Sequence, residues 1–317
     1  MKRLVPKALT DTLERQRYHI IGRHSAVKRC RWLHETLVND RCCYKQKFYG
    51  IQTHQCLQMT PAFFYCTQRC LFCWRAQSGD HELKWDELRL PTWDKPERIV
   101  EESIKIQLAI LSGYKANPKT DSRKLKEAQT PRHAAISLTG EPTLYEHLGE
   151  LVRTYHRKGF TTFLVSNGTT PAALSKLSEE PSQLYISTCA PDEETFNAVC
   201  RPQFPKAWER LNKTMALLPS FKCPTVLRMT LAHGVNMKNV QDYAKLIERA
   251  KPTYIEPKAY MHVGFSRLRL GFENMPGHCE IREFAVQLAE ETVYALANES
   301  EESRVVLLAS SVSVPCK

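Results

Sequence analysis

Cys66-Thr67-Gln68-Arg69-Cys70-Leu71-Phe72-Cys73 is the stretch on which the reading of this chain turns. It sets three cysteines in a CxxxCxxC spacing directly after an apolar, aromatic run at 62–65 that reads as a strand. Three thiolates on one tight loop wrap one face of an iron–sulfur cube and ligate three of its irons, leaving the fourth open to a reactant. A structural zinc wants four ligands, usually from paired CxxC or Cys/His units, and no such pair accompanies this loop. Zinc and unligated thiols stay open as alternatives at this point.

Outward from the loop, short β-branched or aromatic runs alternate with longer amphipathic ones. Further strands are predicted at 134–138, Thr161–Ser166, 184–188, Thr225–Leu231 and 254–256, with a late one at 305–308. Helices are predicted at Pro96–Ser112, 144–157, 193–199, 208–217, Val240–Ala250 and 281–297. Pro96 suits a first helical turn. Strand then helix, repeated over short links, means a parallel sheet with crossover helices. The fold class is therefore α/β, with about six such units forming a partial (β/α)6 barrel, since a full eight-unit barrel needs more chain.

Residues 1–60 break that rhythm and read as an N-terminal extension to a core at 61–317. Ser25 is expected to cap a helix that carries Cys30 and runs to about Val38, and 39–60 reads as irregular. Residues 114–132 read as a basic insertion, long enough for a functional loop. Charge follows the same division. The chain carries 45 Lys and Arg against 34 Asp and Glu, and residues 1–60 alone hold twelve basic and four acidic residues. Lys115, Lys119, Arg123, Lys124, Lys126 and Arg132 form a second basic run. Clustered positive charge suits a polyanion such as nucleic acid, although a solvated basic face has the same composition. No apolar run approaches the length of a membrane span, and the N-terminus does not read as a secretory signal, so a cytoplasmic location is expected.

Twelve cysteines without a secretory signal point to metal or redox chemistry rather than disulfides. Seven lie in the first 73 residues. Cys189, Cys200, Cys223, Cys279 and Cys316 are scattered and read as small buried hydrophobes. Upstream of the first loop, Cys30, Cys43 and Cys56 follow one another at CX12CX12C spacing. This is no zinc pattern. Three unrelated thiols and three that converge on one centre are both compatible with it, and the equal spacing selects Cys43 over Cys42.

The CxxxCxφC loop, with Phe72 as φ, resembles the signature of the radical S-adenosylmethionine (SAM) superfamily. The resemblance implies a [4Fe–4S] cluster on Cys66, Cys70 and Cys73, with SAM chelating the open iron. Thr139-Gly140-Glu141-Pro142 stands where the superfamily has its GGE-like contact to the SAM amino group, with Thr139 in place of the first glycine. Ser166-Asn167-Gly168 stands where the ribose is touched. With the CX12CX12C spacing and the block 256–270, EPKAYMHVGFSRLRL, the chain is similar to the wyosine-base synthase family, the tRNA 4-demethylwyosine synthases. In that family the upstream triad holds a second [4Fe–4S] cluster.

The resemblance further implies a reaction. N1-methylguanosine-37 of tRNA(Phe) condenses with two carbons of pyruvate to give 4-demethylwyosine, and the pyruvate carboxyl carbon is lost. Lys45, two residues after Cys43, falls at the offset of the family's proposed Schiff-base lysine; the plain alternative is a phosphate-contacting cation. The family's eukaryotic members carry a flavodoxin-like domain for which this chain has no room, so the compact form and an external electron donor are expected. Arg29, Arg31 and the 115–132 segment are candidates for phosphates, and Trp74 and Phe265 for base stacking. Two rivals stand beside this reading. One is another two-cluster radical SAM enzyme on RNA, such as a methylthiotransferase; the other is a non-catalytic iron–sulfur RNA-binding protein.

Overall fold

The computed structural model describes residues 5–90 and 94–310 and divides them into two compact units. The first comprises residues up to Cys66 together with 77–165 and 177–182; the second comprises 67–76, 166–176 and the chain from Gln183 on.

The first unit opens with helix α1 (Lys7–Arg15) and an antiparallel hairpin, β1 (Tyr18–Ile21) and β2 (Ser25–Lys28). Two short helices follow, α2 (Arg31–Val38) and α3 (Tyr44–Tyr49), and then strand β3 (Cys56–Thr60). Strand β2 pairs antiparallel with β3, and from there the sheet is parallel, through β4 (His133–Ile136) to β5 (Thr161–Ser166). Helices α4 (Pro96–Ser112), α5 (Ser122–Ala128) and α6 (Leu148–Arg157) complete the unit. Helix α4 packs on β1–β3 and on α6, burying Ile99, Val100, Leu151 and Val152 beside Leu57, Met59 and Ile136.

The second unit carries α7 (Pro171–Ser175), β6 (Gln183–Ser187), α8 (Glu193–Cys200), α9 (Ala207–Leu217), β7 (Thr225–Leu231), α10 (Val240–Ala250) and β8 (Tyr254–Ala259). Strands β6, β7 and β8 are parallel neighbours. After α11 (His278–Glu290), an antiparallel hairpin of β9 (Tyr294–Ser300) and β10 (Val305–Ser310) docks on β8 through β10.

The strand–helix alternation expected from the pattern is present, with five differences of substance. The stretch 39–60, expected to be irregular, holds α3 and β3, because Thr53 ties α3 to the turn before β3 and β3 pairs with β2 and β4. Residues 62–65 are not a strand. Phe63, Phe64 and Tyr65 are buried, but their backbone groups are satisfied outside any ladder: Phe63 N–H donates to His24 O, the Trp85 indole to Phe64 O, and Glu141 N–H to Tyr65 O. The strand before the cysteine loop is β3, which places Cys56 in the sheet. Ser25 caps no helix, because it pairs with Ile21 across the hairpin; the helix begins at Arg31, with Cys30 at its cap position. The helix predicted at 281–297 begins at His278 and ends at Glu290, and the rest is β9, whose pairing with β10 is a long-range contact that local periodicity cannot register.

The segment 114–132 is also no open loop. Helix α5 lies inside it, and Ala128, Tyr114 and Leu125 pack with Leu33 and Leu37 of α2. Lys124 is spent on this docking: it pairs with Asp40, lies 3.9 Å from Asp121, and its side chain is only 13% exposed. Among the scattered cysteines, Cys189 and Cys200 are buried, Cys223 is partly buried and Cys279 is exposed; Cys316 lies outside the described residues.

Candidate functional site

The first unit gathers Cys30, Cys43, Cys56 and Lys45. Cys30 and Cys43 stand in the same local setting, each at the N-terminal cap position of a short helix, with φ/ψ of −66/139 and −66/145. That equivalence gives the twelve-residue spacing a structural meaning, since each thiol is presented at a helix start, where peptide N–H groups favour a thiolate. The Cys43 N–H donates to Thr53 Oγ1 at 3.1 Å, and Thr53 N–H to Gln46 Oε1 at 3.1 Å, which ties α3 to the turn that leads into Cys56. Cys56 is held in register opposite His133 of β4.

The electrostatics show that these groups share one neighbourhood. Burial pushes the Cys56 thiol far above its ordinary range; negative charge on Cys30 and on Cys43 raises it further, and the Lys45 ammonium draws it down. Burial likewise raises Cys30. The N–H groups of Trp32 and Leu33 oppose that without closing a cap hydrogen bond, as do Lys45 and Arg29. Lys45 is 7% exposed, with its Nζ 4.4 Å from the centroid of the Phe163 ring. A buried lysine beside three thiols is costly for an apoprotein of neutral thiols, but it complements three thiolates around a metal cluster.

Among the described residues, no group of three or more His, Cys, Asp and Glu side chains is arranged to hold a single metal ion. Thiolates that each bind a different iron of a cube stand farther apart than the ligands of one ion, so a cluster is the group this donor chemistry suits.

Also in the first unit, the Thr139-Gly140-Glu141 turn is pressed onto the segment before Cys66. Thr139 Oγ1 donates to Phe63 O (3.1 Å), Thr60 Oγ1 to Thr139 O (2.6 Å), and Glu141 N–H to Tyr65 O (2.8 Å). The Thr139 hydroxyl, standing where the superfamily pattern has glycine, therefore fastens the two loops together. The Glu141 carboxylate, 1% exposed, accepts from the Thr143 N–H and hydroxyl. Cys66 is buried, and its N–H donates to Glu87 O.

Cys70, Phe72, Cys73, Ser166 and Asn167 belong to the second unit. There the cysteine loop is held by residues that spacing alone did not flag. Arg269 donates to the carbonyl oxygens of Cys73 (2.6 Å), Leu71 (3.3 Å) and Arg75 (3.3 Å). Arg75, 4% exposed, donates to Gln68 O (2.7 Å). The Cys200 thiol facing Cys70, together with burial, pushes Cys70 well up, and Arg75 pulls it back. Burial raises Cys73, and Arg75 and Arg269 lower it. Two guanidinium groups thus favour ionised sulfur on this loop, which fits thiolate ligation. Phe72 packs against the buried cluster of Ala232, Tyr260 and Leu270. Asn167 donates to Thr67 Oγ1 (2.7 Å), which itself bonds Thr169 Oγ1 (2.8 Å), and Gly168 N–H donates to Ser166 Oγ (3.1 Å). An ion pair crosses β7 to β8: Arg228 Nε (3.0 Å) and Nη2 (2.8 Å) both donate to Oε2 of fully buried Glu256. Its signal in sequence was the block beginning at Glu256, but the partner could not be read there.

Two family profiles match the chain, the radical SAM superfamily over residues 61–247 and wyosine base formation over 249–310. An S-adenosyl-L-methionine-dependent tRNA 4-demethylwyosine synthase of Pyrococcus abyssi is 50% identical over 308 residues, covering 96% of this chain and 89% of its own. The human protein of the same description is 33% identical, over 96% of this chain and 41% of its own. Among solved structures, one of TYW1 with a lysine–pyruvate adduct bound superposes with a TM-score of 0.88 at 40% identity, covering 98% of this chain and 97% of that one. A crystal structure of archaeal TYW1 gives 0.80 at 36% identity, with 97% of each chain covered.

Proposed function

Since the chain belongs to the S-adenosyl-L-methionine-dependent tRNA 4-demethylwyosine synthase family, we propose that it condenses N1-methylguanosine-37 of tRNA(Phe) with pyruvate to form 4-demethylwyosine. It is a radical SAM enzyme that acts on tRNA, in the α/β radical SAM fold, and its family uses SAM and a [4Fe–4S] cluster. The methylthiotransferase and binding-module readings fall with that membership. Among the described residues, no helix is long and apolar enough to cross a membrane.

Cys66, Cys70 and Cys73 are the residues that would hold the cluster. Bound there with SAM and reduced by an external donor, it supplies a 5′-deoxyadenosyl radical able to take hydrogen from the N-methyl group of the target base. The chain's own residues do the rest. Thr139 fastens the turn carrying Gly140 and Glu141, the SAM-facing candidates, to the segment before Cys66. Asn167, anchored on Thr67, orients the Ser166–Asn167 turn proposed for the ribose. Cys30, Cys43 and Cys56, carried by the N-terminal extension, would hold a second [4Fe–4S] cluster beside which pyruvate binds. Lys45 would condense with the pyruvate ketone, forming a C=N bond and releasing water, which fixes the substrate through its own carbon. Exposed Trp74 and partly buried Phe265 would stack on bases of the anticodon loop.

The observation that carries this reading is Lys45, buried among the three upstream thiols. The related TYW1 structure with a lysine–pyruvate adduct supports the same assignment here. The test is an anaerobic assay with reconstituted enzyme, SAM, a reductant, carbon-labelled pyruvate and tRNA(Phe) bearing N1-methylguanosine-37. Two labelled carbons in a tricyclic base are expected. Unmodified tRNA with normal SAM cleavage would overturn the substrate assignment.

A further inference from the structure

The proposed reaction accounts for the two cysteine triads but leaves unused a concave feature of the first unit. A cavity of about 480 Å³ opens between the β1–β2 hairpin, the start of α2 and the C-terminal end of α4. Its chemistry is one-sided. Arg17, His19, Lys28, Arg29 and His34 all line it, and no Asp or Glu does. At its wall the Tyr114 hydroxyl takes a hydrogen bond from Arg29 Nη1 at 3.0 Å and lies 3.1 Å from His34 Nδ1, so the phenol bridges the two side chains. Lys28 Nζ sits 3.8 Å over the Tyr18 ring.

Three full positive charges, on Arg17, Lys28 and Arg29, converge here with no counter-charge among the described residues that line the cavity. The C-terminus of α4 offers only about half a negative charge, too little to balance them. Such a site is complete only with an anion from outside. The cavity is too large for a bare phosphate and suits a phosphate with its attached sugar. Arg29 precedes Cys30 in the chain, and exposed Lys115 and Lys119 extend the basic surface from the rim at Tyr114 and Asn117.

We propose that this cavity is a backbone-phosphate site for the tRNA substrate, with Arg17, Lys28 and Arg29 contacting a nucleotide phosphate while Tyr114, itself bonded to His34, holds Arg29 in place. The assignment rests on the tRNA reading above and adds to it the place where the RNA strand is gripped.

The test is a double variant, Arg17→Gln with Lys28→Gln, beside the conservative Lys28→Arg. Affinity for tRNA(Phe) bearing N1-methylguanosine-37 is measured by fluorescence anisotropy across a salt series. The double variant is expected to bind roughly tenfold more weakly, with a slope of log K against log salt shallower by about 1 to 2, while Lys28→Arg retains the wild-type slope. Thermal midpoint and iron content, read on the same preparations, separate loss of contact from loss of fold. An unchanged affinity and slope in the double variant overturns the site, as does a loss that follows a drop in thermal midpoint. Tyr114→Phe, which leaves the charges in place but frees Arg29, is expected to weaken binding less than the double variant. If wild-type enzyme binds tRNA with the expected salt slope but forms no product, the substrate assignment fails and the phosphate site stands.

Discussion

Gly140 lies so close to Ala62 that a Cβ on it would meet the Ala62 carbonyl oxygen at 1.8 Å and that of Tyr65 at 2.6 Å. The glycine also has φ +73, where side chains are strained. This contact presses the turn proposed to face SAM against the segment leading into Cys66. Gly140→Ala should therefore cost on the order of 3 kcal/mol or more, from steric overlap and strain together. Gly159→Ala is the control, because Gly159 has φ +80 but nothing within 4 Å of its Cβ position. It should cost about 1 kcal/mol, the conformational part alone. Equal shifts in thermal midpoint for the two variants would mean that the turn is free to move away.

The two triads should bind iron independently. Replacing Cys66, Cys70 and Cys73 by alanine is expected to leave about half of the iron and sulfide and to abolish 5′-deoxyadenosine formation. Replacing Cys30, Cys43 and Cys56 should also halve the iron, yet leave SAM cleavage measurable. If the first variant still forms 5′-deoxyadenosine, the SAM-binding cluster is elsewhere. If the second keeps its full iron content, the upstream triad holds none.

His24 gives the fold an acid-sensitive point. It is fully buried, with Nδ1 on Pro61 O at 2.6 Å and Nε2 accepting the Asp94 N–H at 2.9 Å, so the neutral ring with the proton on Nδ1 satisfies both ends. Burial holds its pKa below the ordinary 6.5; the Pro61 hydrogen bond and Asp94 oppose that, and Arg23 adds to it. Above about pH 6.5 neither the folded nor the unfolded chain protonates this ring, and its contribution to stability is complete. Below that, the unfolded chain takes up the proton first, so stability falls as pH drops toward the folded value. His24→Gln keeps an acceptor for Asp94 N–H and cannot titrate. Its thermal midpoint should be lower at pH 8 and should decline less steeply between about pH 6.5 and 5. A parallel decline would assign the acid sensitivity to other groups.

What could be read in the sequence, and what could not, divides by the range of the interaction. The parallel strands Thr161–Ser166 and Thr225–Leu231 stood out because an apolar β-branched run declares itself within a few residues. The run at 62–65 is also apolar, though aromatic rather than β-branched, but spends its backbone hydrogen bonds on His24, Trp85 and Glu141, partners 20 to 80 residues away. The cysteine loops were legible because their spacing is local. Arg269, which holds the carbonyl groups of Leu71, Cys73 and Arg75, was not, since nothing near it signals a contact with a loop almost 200 residues earlier. Charge was the most deceptive signal. Lys124 reads as part of an RNA-facing run, yet it docks α5 through Asp40, while Arg17 and Lys28, unremarkable in sequence, line a cavity with no Asp or Glu among its described lining residues.

Lys45 offers the most direct test of the chemistry. Helix α3 carries it two residues beyond Cys43, and the fold buries it against Phe163, beside the upstream thiols. An imine forms when the amine nitrogen attacks the pyruvate ketone carbon. Borohydride added to reconstituted enzyme and pyruvate should therefore trap a covalent adduct, and peptide mass spectrometry should place it on Lys45. Lys45→Arg keeps a positive charge beside the three cysteines but cannot form the same bond. The variant should retain its iron and its tRNA affinity while losing adduct and product, a fall in activity of at least about a hundredfold. If it loses iron instead, the ammonium serves to balance the thiolates rather than to bind pyruvate. If it loses tRNA affinity alone, Lys45 is a phosphate contact. Normal 4-demethylwyosine formation by Lys45→Arg would exclude the imine altogether and leave pyruvate to be held by other groups.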